Sequence, residues 1–79
     1  MAKEVKNITA AERVLTIYTK NFNVLDKREQ EIIEKYYGFG SYSRHTLEEI
    51  AVELKMTRER VRQIKYDSIQ KLNKVNKTK

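Results

Sequence analysis

Residues 46–72 run TLEEIAVELKMTRERVRQIKYDSIQKL, and the placing of their apolar side chains predicts two helices with a short break between them. Leu47, Ile50, Ala51 and Leu54 recur at three- and four-residue steps, so they share one stripe of a helix. Thr46, with Glu49 three residues on, fits the reciprocal pair in which each side chain accepts from the other's unbonded backbone N–H, which marks a helix start. After Lys55 and Met56, Thr57 can cap a longer helix whose apolar stripe is Val61, Ile64, Leu72 and Val75, with small Ser68 between. Two consecutive helices so closely joined have the spacing of a helix-turn-helix, a spacing that many αα-hairpins share.

With about 100° per residue and Val61 at zero, Ile64, Ser68, Leu72 and Val75 fall within about 60° of it and form the stripe to be buried. Glu59, Arg62, Gln63, Tyr66 and Gln70 then face the other way, with Arg58 and Arg60 on the flanks. That face suits a DNA reader. Arginine can donate two bonds to the guanine edge, glutamine can bridge the donor and acceptor of adenine, and glutamate can accept from the cytosine amino group. Glu59 among arginines opposes phosphate attraction, so it makes sense as a base discriminator or as half of an internal salt bridge. Arg58, Arg60, Lys65, Lys71 and the terminal NKVNKTK (73–79) supply charge for phosphates, which adds affinity without sequence information. The competing reading is a solvated helix laced by Glu59–Arg62 and Glu59–Gln63 pairs. A turn of the right length, a Thr cap and a positive face coinciding on one element favour DNA.

Charge supports the same reading. The chain has 79 residues, 17 Lys plus Arg against 11 Asp plus Glu, and a net charge of +6. Residues 57–79 hold eight basic and two acidic side chains, so the whole excess sits there, and a polyanionic partner is implied. The length allows one small domain and argues against a large enzyme fold. Cysteine is absent and histidine occurs once, so no disulfide framework, thiolate zinc site or other cofactor is expected. No stretch has the apolar length of a signal peptide or a membrane span; a cytoplasmic protein is the expectation.

Upstream, Asp26 and Glu29 repeat the capping pattern ahead of Ile32, Ile33, Tyr36 and Tyr37, predicting a helix over about 27–37 that stops at Gly38. GFGSYSRH (38–45) is then a loop. A further helix is predicted from Thr9, paired with Glu12, with Ala11, Leu15, Tyr18 and Phe22 on one face. The expected fold is therefore all-α: about four helices with a C-terminal helix-turn-helix, divided as an N-terminal segment (1–22), a core domain (23–73) and a basic flexible tail (74–79).

TLEEIAVELKMTRERVRQI closely resembles region 4 of the sigma-70 family of bacterial transcription initiation factors, whose pattern is a TLEE-type first helix and a TRER-(V/I)-RQI recognition helix. The likeness extends back through VLDKREQEIIEKYYGFG (24–40), so about Val24 to Leu72 is covered. The resemblance implies binding of double-stranded promoter DNA at a minus-35 element in the major groove, and docking on the β-flap of core RNA polymerase. By position, Arg58, Glu59, Arg62 and Gln63 match the family's base-reading residues, and Arg28 and Thr57 match positions that touch phosphate. Leu25, Ile32, Ile33, Tyr36 and Tyr37 are candidates for the apolar flap-binding hollow, with plain core as the alternative for each.

Some positions depart from the family. Asp67 and Gln70 stand where many members carry a basic residue that activators touch, and Tyr66 stands where a small residue is common. The larger region that melts the start site has no counterpart here. The resemblance thus implies a free-standing region 4: half of a split factor completed by a second sigma-like subunit, a phage- or plasmid-type regulator, a mimic that redirects polymerase, or an excised domain. Two other classes compete. A dimeric helix-turn-helix repressor would need a self-complementary patch, for which Val14, Leu15, Tyr18 and Phe22 could serve. A polymerase- or sigma-binding regulator would not read DNA at all. An enzyme reading has little to stand on: Ser41, Ser43 and His45 lie in a loop with no third group to orient them, and adjacent Glu48 and Glu49 diverge by about 100° on a helix.

Overall fold

The computed structural model describes residues 10–40 and 42–77. Among them are four α-helices and no strand: α1 (Ala10–Asn21), α2 (Lys27–Tyr37), α3 (Leu47–Leu54) and α4 (Arg58–Lys77), with a 3-10 turn at Phe22–Val24. The boundaries follow from local chemistry. At α2, Asp26 Oδ1 accepts from the Glu29 amide at 2.8 Å and Glu29 Oε1 accepts from the Asp26 amide at 3.0 Å. Thr46 and Glu49 repeat the exchange at α3, at 3.1 and 2.8 Å, and Thr57 Oγ1 accepts from the Arg60 amide at 3.0 Å at α4. Each exchange satisfies amides that a helix leaves unbonded at its start. The cap expected at Thr9 lies outside the described residues.

Gly38 ends α2 in the left-handed region, φ 75°, with its own amide and that of Phe39 bonded to the Glu34 carbonyl at 2.8 and 2.9 Å. Lys55 ends α3 at φ 58°, a conformation uncommon for a side chain larger than glycine's. The chain reverses there and Thr57 restarts it, completing the helix-turn-helix. The 3-10 turn, which the sequence pattern did not anticipate, is clipped to α2 by Gln30, whose Nε2 donates to the Phe22 and Leu25 carbonyls at 3.0 Å each.

Two hydrophobic clusters fill the interior. One joins α1, α2 and α4 through Val14, Tyr18, Leu25, Ile33, Phe39 and Leu72. The other joins α2, α3 and α4 through Ile32, Ile50, Ala51 and Val61. Ile32 and Ile33, adjacent in α2 and both fully buried, each enter a different cluster. On α4 the buried stripe is Val61, Ser68 and Leu72 at 0 % exposure, with Ile64 and Val75 partly covered. Ser68 escapes an unsatisfied hydroxyl by donating to the Ile64 carbonyl at 2.7 Å.

Two expectations need correction. The buried face of α1 is Val14, Ile17, Tyr18 and Asn21, whereas Leu15 and Phe22 remain 42 % and 49 % exposed. The apolar residues of α1 spread around the helix, and the side that meets α4 selects among them. Residues 74–77 are the last turn of α4 rather than tail. A repressor-type dimer patch of Val14, Leu15, Tyr18 and Phe22 would require two residues that the core already uses. Tyr18 is held further by donating its hydroxyl to Glu34 Oε2.

Candidate nucleic-acid interface

Burial of Val61, Ser68 and Leu72 turns the opposite side of α4 to solvent. Arg58, Glu59, Arg60, Arg62, Tyr66, Asp67 and Gln70 are exposed there, and Gln63 is half-covered. Arg62 is not loose. Its Nε donates to Glu59 Oε1 at 3.1 Å and its Nη2 to Glu59 Oε2 at 2.5 Å, a forked pair one helical turn apart. The hydrogen bonds from Arg62 hold the Glu59 carboxyl below the usual carboxylate range, and Glu59 in turn raises the guanidinium of Arg62. Gln63 donates from Nε2 to Asp67 Oδ1 at 3.1 Å. Of the two internal pairs weighed for a solvated face, Glu59–Arg62 exists and Gln63 turns to Asp67 instead.

The cations around this face fall into two groups. Lys65 sits over the Tyr36 ring, 4.7 Å from its centroid, and Lys71 Nζ is 2.7 Å from Glu29 Oε2, which raises the Lys71 ammonium. Arg28 reaches across to the turn between α3 and α4, its Nη1 3.1 Å from Met56 Sδ. Thr57 uses its oxygen for the cap but keeps its hydroxyl proton to donate. By contrast, Arg58 and Arg60 form no ion pair among the described residues. They extend from the first turn of α4, where the helix start itself favours anions.

Of the residues considered for an apolar polymerase contact, Leu25, Ile32 and Ile33 are interior at 4 %, 0 % and 0 % exposure. Tyr36 and Tyr37 are partly covered, packed edge-to-face at 4.9 Å, with Tyr37 also stacked on Phe39 at 5.4 Å. These five therefore mostly build the domain. Burial raises the Tyr37 hydroxyl pKa.

One polar network escaped the sequence reading. Lys35 Nζ lies 3.0 Å from Glu31 Oε2 and 2.7 Å from Glu53 Oε1, joining α2 to α3. The other Glu53 oxygen is 3.3 Å from His45 Nε2, and His45 Nδ1 is 2.7 Å from the Ser43 carbonyl. The Glu31–Lys35 step was readable as an i,i+4 pair; the rest depends on how α3 docks. Ser41, weighed above with Ser43 and His45, lies outside the described residues. No group of three or more His, Cys, Asp or Glu among the described residues could hold a metal ion, and none of their helices is long and apolar enough to cross a membrane.

Residues 22–74 match the family described as Sigma-70, region 4. The chain is 35 % identical over 57 residues to the RNA polymerase sigma factor SigA of Lactococcus lactis subsp. cremoris, covering 72 % of this chain and 16 % of that protein. It is likewise 35 % identical over 60 residues to the RNA polymerase sigma factor SigA of Clostridium acetobutylicum, covering 76 % of this chain and 16 % of that protein. The chain thus spans about one sixth of the length of these relatives. No solved structure matches it.

Proposed function

The chain belongs to the sigma-70 region 4 family, and from that membership we propose that it reads a minus-35-type promoter element with α4 in the major groove while docking on the β-flap of RNA polymerase. The observation that carries this is the outward placing of Arg58, Glu59, Arg62 and Gln63 on the first two turns of α4, braced from behind by Val61 against Ile50 and Ala51 of α3. The Glu59 fork takes the Nε and Nη2 edge of Arg62 and leaves its outer edge for the two acceptors of guanine. Gln63, with one N–H held by Asp67, keeps its other N–H and its oxygen for adenine. Arg28, Thr57, Arg60, Lys65 and Lys71 are the phosphate contacts of this reading. Arg60 is available at once, whereas Lys65 and Lys71 exchange an internal partner for DNA.

Polymerase docking rests on family membership more than on geometry. With Leu25, Ile32 and Ile33 interior, the flap contact falls to the partly covered Tyr36 and Tyr37 and to the exposed apolar side chains of the 3-10 turn just before Leu25, Phe22 and Val24. The test joins a gel shift on minus-35-like and scrambled duplexes with a pull-down using core polymerase and an isolated flap fragment. Salt-dependent preference for the promoter-like duplex, with capture of the flap fragment, is the expected result. Equal binding of both duplexes would remove base reading, and a failed pull-down would remove the flap contact.

A further inference from the structure

An open depression beside the first turn of α4 is lined by Arg44, Arg58, Tyr36, Thr46 and Glu48, among others. Its lining includes two arginines from different parts of the chain: Arg58 opens α4, and Arg44 belongs to the loop that leads into α3. The stem of Arg44 lies against Gly38. A Cβ built on Gly38 would stand 2.8 Å from Arg44 Cγ and 3.1 Å from Arg44 N, so the end of α2 passes directly beneath it. The loop is tied down on both sides, by the His45 amide donating to the Lys35 carbonyl at 2.8 Å and the Tyr42 amide to the Phe39 carbonyl at 3.2 Å.

Arg44 nevertheless forms no ion pair among the described residues, although Lys35, Arg62 and Lys71 all do. Among the described residues lining the depression Glu48 is the one carboxylate, against two guanidiniums. At the start of α3 the Thr46 and Glu49 amides are taken by the capping exchange, and the arginine side chains add two positive charges to the depression. We infer that Arg44 seats a backbone phosphate of the duplex that α4 reads, next to the bases that Arg58 reaches. This rests on the reading of α4 as the groove-entering helix: a strand reached by Arg58 runs beside Arg44, whose planar fork matches phosphate oxygens. The contact positions the domain and carries no base preference.

The test measures affinity of the full chain for promoter-like and scrambled duplexes across a salt series. Arg44→Ala weakens both duplexes by the same factor, about threefold to tenfold at low salt, and shallows the dependence of log K on log salt by about 1. Arg44→Lys keeps the slope, and Lys20→Ala, which removes one charge outside the depression, leaves affinity near that of the parent chain. Circular dichroism on each variant confirms the fold. A folded Arg44→Ala chain with unchanged slope overturns the inference, as does a loss confined to the promoter-like duplex or an equal loss in Lys20→Ala. Should the parent chain bind both duplexes alike, base reading fails while the effect of Arg44 on the slope remains measurable.

Discussion

Lys71 Nζ lies 2.7 Å from Glu29 Oε2, joining the third quarter of α4 to the first turn of α2 across 42 residues of sequence. Glu29 thereby serves two elements, since its other oxygen closes the capping exchange with Asp26. The carboxylate offsets part of the charge that a lysine so engaged can offer a phosphate. Glu29→Gln is therefore expected to lower thermal stability slightly and to steepen the salt dependence of DNA binding by up to about one unit of slope, as Lys71 becomes available. Fluorescence anisotropy at a series of salt concentrations measures it; an unchanged slope would show that Lys71 lies off the DNA path.

Under the proposed reading of α4, variants of the Glu59–Arg62 fork separate base reading from charge. Arg62→Ala is expected to cost about 1–3 kcal/mol on the preferred site and to relax choice at one base pair. Glu59→Gln removes a negative charge, so affinity for scrambled DNA rises while discrimination falls. Competition between cognate and scrambled duplexes reports the ratio, and a ratio unchanged in both variants would contradict their assignment as readers.

Leu72 and Leu15 test the assignment of the α1 face. Leu72, at 0 % exposure between α1 and α4, should cost about 2–5 kcal/mol when cut to alanine. Leu15, at 42 % exposure on the outer side of α1, should cost within about 0.5 kcal/mol. Urea unfolding of the two variants compares them directly. Similar losses would mean that α1 sits on α4 by a different face.

Glu53 gives a pH signature. Lys35, above all by its hydrogen bond, holds the Glu53 carboxyl below its ordinary range, and His45 adds to the effect. A carboxyl depressed in the folded state contributes stability that is present above its unfolded pKa and disappears as pH falls through the folded value. Glu53→Gln should accordingly melt earlier than the parent chain at neutral pH, with the two curves converging in acid below about pH 4. A constant gap across that range would place the effect in packing instead.

The elements whose signals lie within four residues were legible in the sequence. Asp26 with Glu29, Thr46 with Glu49 and Gly38 after Tyr37 fix the starts and stops of α2 and α3 because the bonds that end a helix are local. The outward face of α4 was legible for the same reason, being set by the spacing of Val61, Ser68 and Leu72. What stayed hidden depends on docking between helices: Tyr18 with Glu34, Lys35 with Glu53, Lys65 with Tyr36, Lys71 with Glu29. Arg44 stayed hidden too, since its loop carries no periodic signal and only the tertiary fold sets it beside Arg58.

Ile32 and Ile33 point into different interiors, so the domain has one half that holds the start of α4 and another sealed by α1, with α2 and α4 running through both. Changes around Val14 and Tyr18 can then remodel one end while Ile50, Ala51 and Val61 go on aiming the arginines. A chain built this way leaves room for the α1 end to diversify with little effect on the start of α4.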